Sequence, residues 1–210
     1  MALMKQEYTQ LLLNQIQYRK QHFPDEQIKT LYIWWGTPFQ LGKDNLIQVI
    51  ETIFTTRDCE QLEELSIELN PDPIDETVLF VEEVTKKREH LFRLRFSFGI
   101  QSFDNNILQT SKRAYVFEQL PDFLRKLQKI KGANVVYNLD FIAFGDTNIA
   151  FGDTVLEDKM DKKSKKDKEG TEAFIPRTEE QRQFFERLVH SFAFDGFSVY
   201  TLELFPGSDR

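Results

Sequence analysis

Five clusters of polar residues recur along the chain. They are Gly36-Thr37-Pro38; Glu68 with Asn70-Pro71; Ser97, Gly99, Gln101 and Ser102; Asn138 with Asp140; and Ser198 with Tyr200. Carboxylates, amides, hydroxyls and turn-forming glycines of this kind suit the binding of a polar ligand through many hydrogen bonds. Each cluster alone has a plainer explanation: Asn70-Pro71 is a turn sequence, and Asp140 could cap a loop. Jointly they predict a polar-lined pocket. Other chemistries are poorly served. His22, His90 and His190 fall on helices or helix ends, away from these clusters, which argues against a histidine base or a zinc site. Cys59 lies between a helix and the start of a strand, on the opposite side from the clusters. "GTP" at 36–38 lacks the lysine of a phosphate-binding loop.

The clusters are spaced by an alternation of strand and helix. Strands are predicted at 28–34, 63–69, 92–98, 134–142 and 196–203, and each cluster sits at or just past a C-terminal end. Leu11, Leu12, Ile16 and Phe23 give 5–23 helical spacing, and Pro24 stops it. Further helices are predicted at 43–56, 75–87, 104–111, 115–131 and 178–192. Five strand–helix alternations indicate a parallel β/α fold, in which ligands meet the C-terminal ends of strands. An open doubly wound sheet and a barrel share this periodicity, which does not choose between them. The stretch "EDKMDKKSKKDKEGTE" (157–172) has one apolar residue in sixteen. It reads as a charged, disordered insertion spanning about 155–175, because it cannot offset the cost of ordering its backbone.

Composition narrows the class. Of 210 residues, 40% are hydrophobic and 20 are Phe, enough for one large core. A net charge of −7 argues against nucleic acid as a partner. No apolar run approaches the roughly 20 residues of a membrane span, and no cleavable leader is evident. A single cysteine excludes an internal disulfide framework. The expectation is a soluble, cytoplasmic domain.

The ordered motifs "WWGTP" (34–38), "ELNP" (68–71), "RLRFSFGIQSF" (93–103), "NLDF" (138–141) and "SVYTL" (198–202) resemble a known family. It is the radical S-adenosylmethionine family, in its oxygen-independent coproporphyrinogen III oxidase and heme chaperone group. That group carries "GGGTP", "E-x-NP", "RLSxGxQSF", "NLDL" and "SxYxL" on strands two to six of a partial (β/α)6 barrel. "NP" and "QSF" lie closer to the heme chaperone branch. The resemblance implies S-adenosylmethionine and a [4Fe-4S] cluster as cofactors and porphyrin or heme as partner. Gly36 and Thr37 would then contact the methionine end of the cofactor, with Glu68 at the position of a cofactor-contacting acid. Gln101 and Asp140 would bond the ribose hydroxyls. Arg113 would pair with the cofactor carboxylate; without the resemblance it reads as a solvated helix-end arginine.

Three departures stand out. Trp34 and Trp35, the only tryptophans, occupy positions where the family has glycine. Glycine there lets backbone groups approach the cofactor without a Cβ in the way, so two indoles would crowd the site or disrupt the strand end. The expectation is that glycine codons have been read as tryptophan; the alternative is a genuine divergence that blocks the site. Second, the family's CxxxCxxC motif after strand one has no counterpart, since Cys59 is the single thiol. The five strands match family strands two to six, so the chain is expected to be an internal piece of a longer protein with one barrel edge exposed. Third, "AFGDTN" (143–148) lacks the proline of the "GLP" that the family places at its base-binding wall. Three functions compete: a radical S-adenosylmethionine protein of heme chaperone type, inactive as given; a degenerate, non-catalytic relative that binds heme or a partner; and a metabolite-binding β/α enzyme, which lacks the glycine loop it would need.

Overall fold

A computed structural model of the chain describes residues 2–34, 37–143 and 195–201, together with Glu179, Gln183 and Glu186. The long opening helix α1 (Ala2–His22) is followed by β1 (Thr30–Ile33), α2 (Lys43–Thr56), β2 (Glu64–Leu69) and α3 (Ile74–Lys87). Then come β3 (Arg93–Gln101), the short α4 (Asn105–Thr110), α5 (Leu120–Ile130), β4 (Val135–Ala143) and β5 (Gly196–Thr201). The charged stretch at 155–175 lies outside the described residues. So does most of the helix predicted at 178–192, of which Glu179, Gln183 and Glu186 are described, and are helical.

Among the described residues five strands form one sheet, all parallel, in the order β1-β2-β3-β4-β5. A doubly wound sheet reverses its strand order at a switch point, and no reversal occurs here. Sequential right-handed crossovers put the helices that link neighbouring strands on one face. Accordingly α1 packs on α2, α2 on α3, and α3 on α5. Side chains two strands apart converge on the other face: the Arg95 guanidinium of β3 lies 5.7 Å from the ring centre of Tyr32 on β1. The sheet is therefore curled, with helices outside and a concave face within. Among the described residues nothing pairs with the free edge of β1.

Side-chain alternation makes the two faces of the sheet chemically different. Leu65, Ile67 and Leu69 of β2, Leu94, Phe96 and Phe98 of β3, and Val135, Tyr137, Leu139 and Phe141 of β4 are all buried under the helices. Phe98 meets Phe123 of α5 edge-on at 5.3 Å, and the Tyr137 hydroxyl donates to the Leu127 carbonyl at 3.0 Å. Burying each such aromatic ring stabilises the fold by roughly 2 kcal/mol. The alternate residues, Tyr32, Glu64, Ser66, Glu68, Arg95, Ser97, Asn138, Asp140 and Ser198, form the concave face and are nearly all polar. Parallel sheets normally bury both faces in apolar runs, so a polar face implies polar contents.

Two local predictions are corrected. β3 runs to Gln101 rather than ending near residue 98, so Ser97, Gly99 and Gln101 belong to the strand itself. The helix predicted over 115–131 begins only at Leu120, because Val116 is extended and Phe117–Gln119 is a 3-10 turn. The sequence Leu120-Pro121 then starts α5, with proline in the first turn, where no backbone donor is lost.

Candidate functional site

The C-terminal half of the concave face holds most of the predicted site residues. Thr37 precedes the 3-10 turn Pro38–Leu41, and its Oγ1 accepts from Asn70 Nδ2 at 3.2 Å. The amide thus ties the loop after β1 to the end of β2. Gly36 lies outside the described residues, as does Trp35. Trp34 is exposed; its ring stacks on Tyr32, with centroids 6.0 Å apart and 14° between planes.

At the end of β3 the ladder slips. Gly99 pairs with Asp140, but Gln101 pairs with Phe141, leaving Ile100 as an extra residue. Bulges are rare in parallel pairs and gather beside functional sites. Gln101 is buried and takes a left-handed backbone, with φ at 65°. Its Oε1 has no hydrogen-bond partner among the described residues. The bulge is held from outside by Tyr115, whose buried hydroxyl stands 2.9 Å from the Gly99 carbonyl and 2.8 Å from that of Ile100. Burial pushes that hydroxyl's pKa far up, so it remains a donor.

Arg113 is half-buried rather than a solvated helix end. Its Nε is buried without a partner among the described residues, and its backbone N–H donates to the Leu108 carbonyl at 2.8 Å. On β4, Asn138 Nδ2 donates to Asp140 Oδ1 at 2.6 Å and to Ser198 Oγ of β5 at 2.8 Å. Burial raises the Asp140 pKa above the usual carboxylate range. The charge of Glu68 adds to the rise, while the hydrogen bonds from Ser198 and Asn138 and the charge of Arg95 oppose it. Glu68 and Asp140 therefore share one electrostatic environment across β2, β3 and β4.

The structure thus brings Thr37, Glu68, Gln101 and Asp140 to one face and sets Arg113 beyond the bulge. Sequence reasoning missed Tyr32, whose hydroxyl donates to Glu68, and Arg95, whose Nε donates to Ser66 Oγ at 3.2 Å. Strand alternation placed Tyr32 on the face of Trp34 and could have found it. Tyr115, in a loop, carried no local signal.

The opposite edge of the sheet is chemically different. An open cleft of about 560 Å³ is lined there by Arg57, Cys59, His90 and neighbours. Burial raises the Cys59 thiol pKa, which disfavours the thiolate. Among the described residues no three His, Cys, Asp or Glu side chains gather as a metal site. No helix among them is long and apolar enough to cross a membrane.

No protein-family model matches the chain. It is similar to three curated proteins, each named heme chaperone HemW. Identity is 31% over 127 residues with that of Lactococcus lactis subsp. lactis, covering 60% of this chain and 32% of the relative. It is 25% over 153 residues with that of Buchnera aphidicola subsp. Schizaphis graminum, covering 73% and 38%. With that of Bacillus subtilis it is 26% over 121 residues, covering 57% and 30%. The aligned part is about a third of the length of these relatives.

Proposed function

From this kinship with the heme chaperones, we propose that the chain is the nucleoside-holding part of a radical S-adenosylmethionine protein of heme or porphyrin metabolism. In this reading β1 to β5 are strands two to six of a partial (β/α)6 barrel, and the concave face is its lumen. Thr37 and Gly36 contact the methionine end of S-adenosylmethionine, and Glu68 faces its amine. Gln101 and Asp140 bond the ribose hydroxyls, and Arg113 pairs with the cofactor carboxylate as a charged fork. Bound to a cluster-bearing protein, S-adenosylmethionine supplies the family's radical chemistry.

Gln101 carries this reading. A left-handed backbone at a non-glycine residue costs roughly 1–2 kcal/mol, and a buried unsatisfied acceptor about 1–3 kcal/mol. A residue with both burdens, on a bulge braced by Tyr115, fits a position whose partner is a ligand. Arg113 Nε, also buried and unpartnered, fits the same account.

The iron–sulfur cluster does not fit these residues. Cys59 is the one thiol in the chain and lies at the other edge of the sheet. The reading therefore assigns the cluster ligands to a segment outside these 210 residues and no reductive cleavage to the chain alone. A degenerate, non-catalytic relative is the second reading. Trp34 favours it, since its ring lies on Tyr32 over the same face.

Calorimetric titration with S-adenosylmethionine tests the proposal. The Trp34→Gly/Trp35→Gly chain should bind more tightly than the parent, and Gln101→Ala in that background should lose about tenfold, as for one or two lost hydrogen bonds. Equal affinity with and without Gln101 would refute the assigned roles.

A further inference from the structure

Glu68 is tethered by a residue that none of the motifs assigns. Tyr32 on β1 is paired in register with Ser66, one alternation below Glu68, and its ring reaches up the concave face so that its hydroxyl donates to Glu68 Oε1. The ring is held in turn. Arg95 lies with its guanidinium carbon 5.7 Å from the ring centre, and Arg95 is fixed by Ser66 at 3.2 Å and Glu64 at 3.5 Å. Among the described residues no other hydrogen bond reaches the Glu68 carboxylate. A glutamate on an open face ordinarily samples several rotamers; here one oxygen is engaged and Oε2 is left available.

We propose that Tyr32 is a positioning residue for Glu68, fixing the carboxylate through Oε1 so that Oε2 meets the cationic group of the ligand. The choice of a phenol is chemically apt. An arginine or lysine in its place would neutralise the carboxylate and compete with an incoming ammonium. A neutral donor orients the carboxylate and leaves its charge intact. Burial, followed by the hydrogen bond and charge of Glu68, pushes the Tyr32 hydroxyl up to about 12, so it donates throughout the neutral range. The inference rests on the reading of Glu68 as a ligand contact, and it makes Tyr32 and Arg95 the support beneath that contact.

Two measurements on the full chain separate the inference from that reading. Side-chain relaxation of the Glu68 γ-methylene, by nuclear magnetic resonance, should show an ordered group in the parent and a freely averaging one in Tyr32→Phe. Unchanged order in Tyr32→Phe overturns the proposal. In the Trp34→Gly/Trp35→Gly background, Tyr32→Phe should weaken S-adenosylmethionine about three- to tenfold, the size of one ordinary hydrogen bond, because the contact is loosened rather than removed. The same change made on Glu68→Gln should do nothing further, because the two residues act in series. An equal loss in both backgrounds overturns the proposal. If Tyr32→Phe frees Glu68 while no variant binds S-adenosylmethionine, the positioning role stands and the cofactor reading fails.

Discussion

Gly99 and Gln101 are packed so closely that a Cβ on Gly99 would stand 2.5 Å from Nε2 of Gln101, with Oδ1 of Asn70 2.9 Å away on another side. The preference for glycine comes from what surrounds it, since its φ is unexceptional. Both obstructing atoms are the ends of side chains, which can turn aside. Gly99→Ala should therefore cost only about 1 kcal/mol, at the low end for overpacking, yet it displaces the residue on which the proposed site most depends. Urea unfolding should show a small loss of stability, while S-adenosylmethionine titration of the same variant, in the glycine-restored background, should show a loss of at least about tenfold. Retained affinity would remove Gln101 from the site.

Tyr115 provides a complementary test, because it acts on the bulge without facing the ligand. Its buried hydroxyl serves two main-chain carbonyls, of Gly99 and Ile100. Tyr115→Phe keeps the ring and removes the donor, leaving both carbonyls without it. The expected cost is about 1–3 kcal/mol, read as a lower urea midpoint with an unchanged slope. Unaltered stability would mean that the bulge is held by other contacts.

These residues also mark where sequence reading reaches its limit. β2 and β4 were legible within a residue at each end, because Leu65, Ile67 and Leu69, and Tyr137, Leu139 and Phe141, alternate with largely polar neighbours. Strand order was not legible from periodicity, which is the same in a barrel wall and a doubly wound sheet; it came from the motif resemblance, which implied strands in sequence order. The polar clusters announced Glu68, Gln101 and Asp140 as strand-end residues. They could not announce that Gln101 sits on a bulge, because register is a property of two strands. Tyr115 reaches the site from a loop before α5, and Arg95 bears on Glu64 and Tyr32 from a neighbouring strand. Such contacts are set by tertiary geometry, which a local pattern does not encode.

Asp140 makes stability depend on pH in a definite sense. Burial raises its folded pKa above the unfolded value of about 3.8. The folded chain therefore holds this proton more tightly than the unfolded chain does. Its contribution to stability is fully present below about pH 3.8 and is lost as pH rises through the raised folded pKa. Asp140→Asn keeps an oxygen to accept from Asn138 and Ser198 and removes the buried charge. It should be more stable than the parent at pH 7, with the difference shrinking toward pH 4, in urea titrations at the two pH values. A less stable variant at pH 7 would show that the ionised carboxylate is well compensated.

The tryptophans make a prediction about the natural protein. Trp34 lies exposed on the ring of Tyr32, the residue that holds Glu68, and both Trp34 and Trp35 stand where the resembled family has glycine. Intact-protein and peptide mass spectrometry of the protein from its source should find glycine at both positions. Tryptophan at both would establish a real divergence and favour the non-catalytic relative.

The last prediction concerns activity. The chain should neither assemble a [4Fe-4S] cluster nor cleave S-adenosylmethionine reductively. Three thiolates on one chain are needed for the family's motif and one is present, so the deficit is one of ligands and cannot be offset by affinity. Trp34→Gly/Trp35→Gly should relieve crowding and improve cofactor binding, yet leave cleavage at zero. In the proposed reading, adding an upstream segment that carries the CxxxCxxC motif to that variant should restore cleavage, because that segment would supply both the thiolates and a first strand. Anaerobic iron–sulfur reconstitution of all three proteins, followed by reduction and assay for 5′-deoxyadenosine, distinguishes them. Product from the unaltered chain would show that the cluster is held by ligands other than three thiolates of one chain. Failure of the extended protein would show that the concave face, with Gln101 and Asp140 in place, does not hold the nucleoside as proposed.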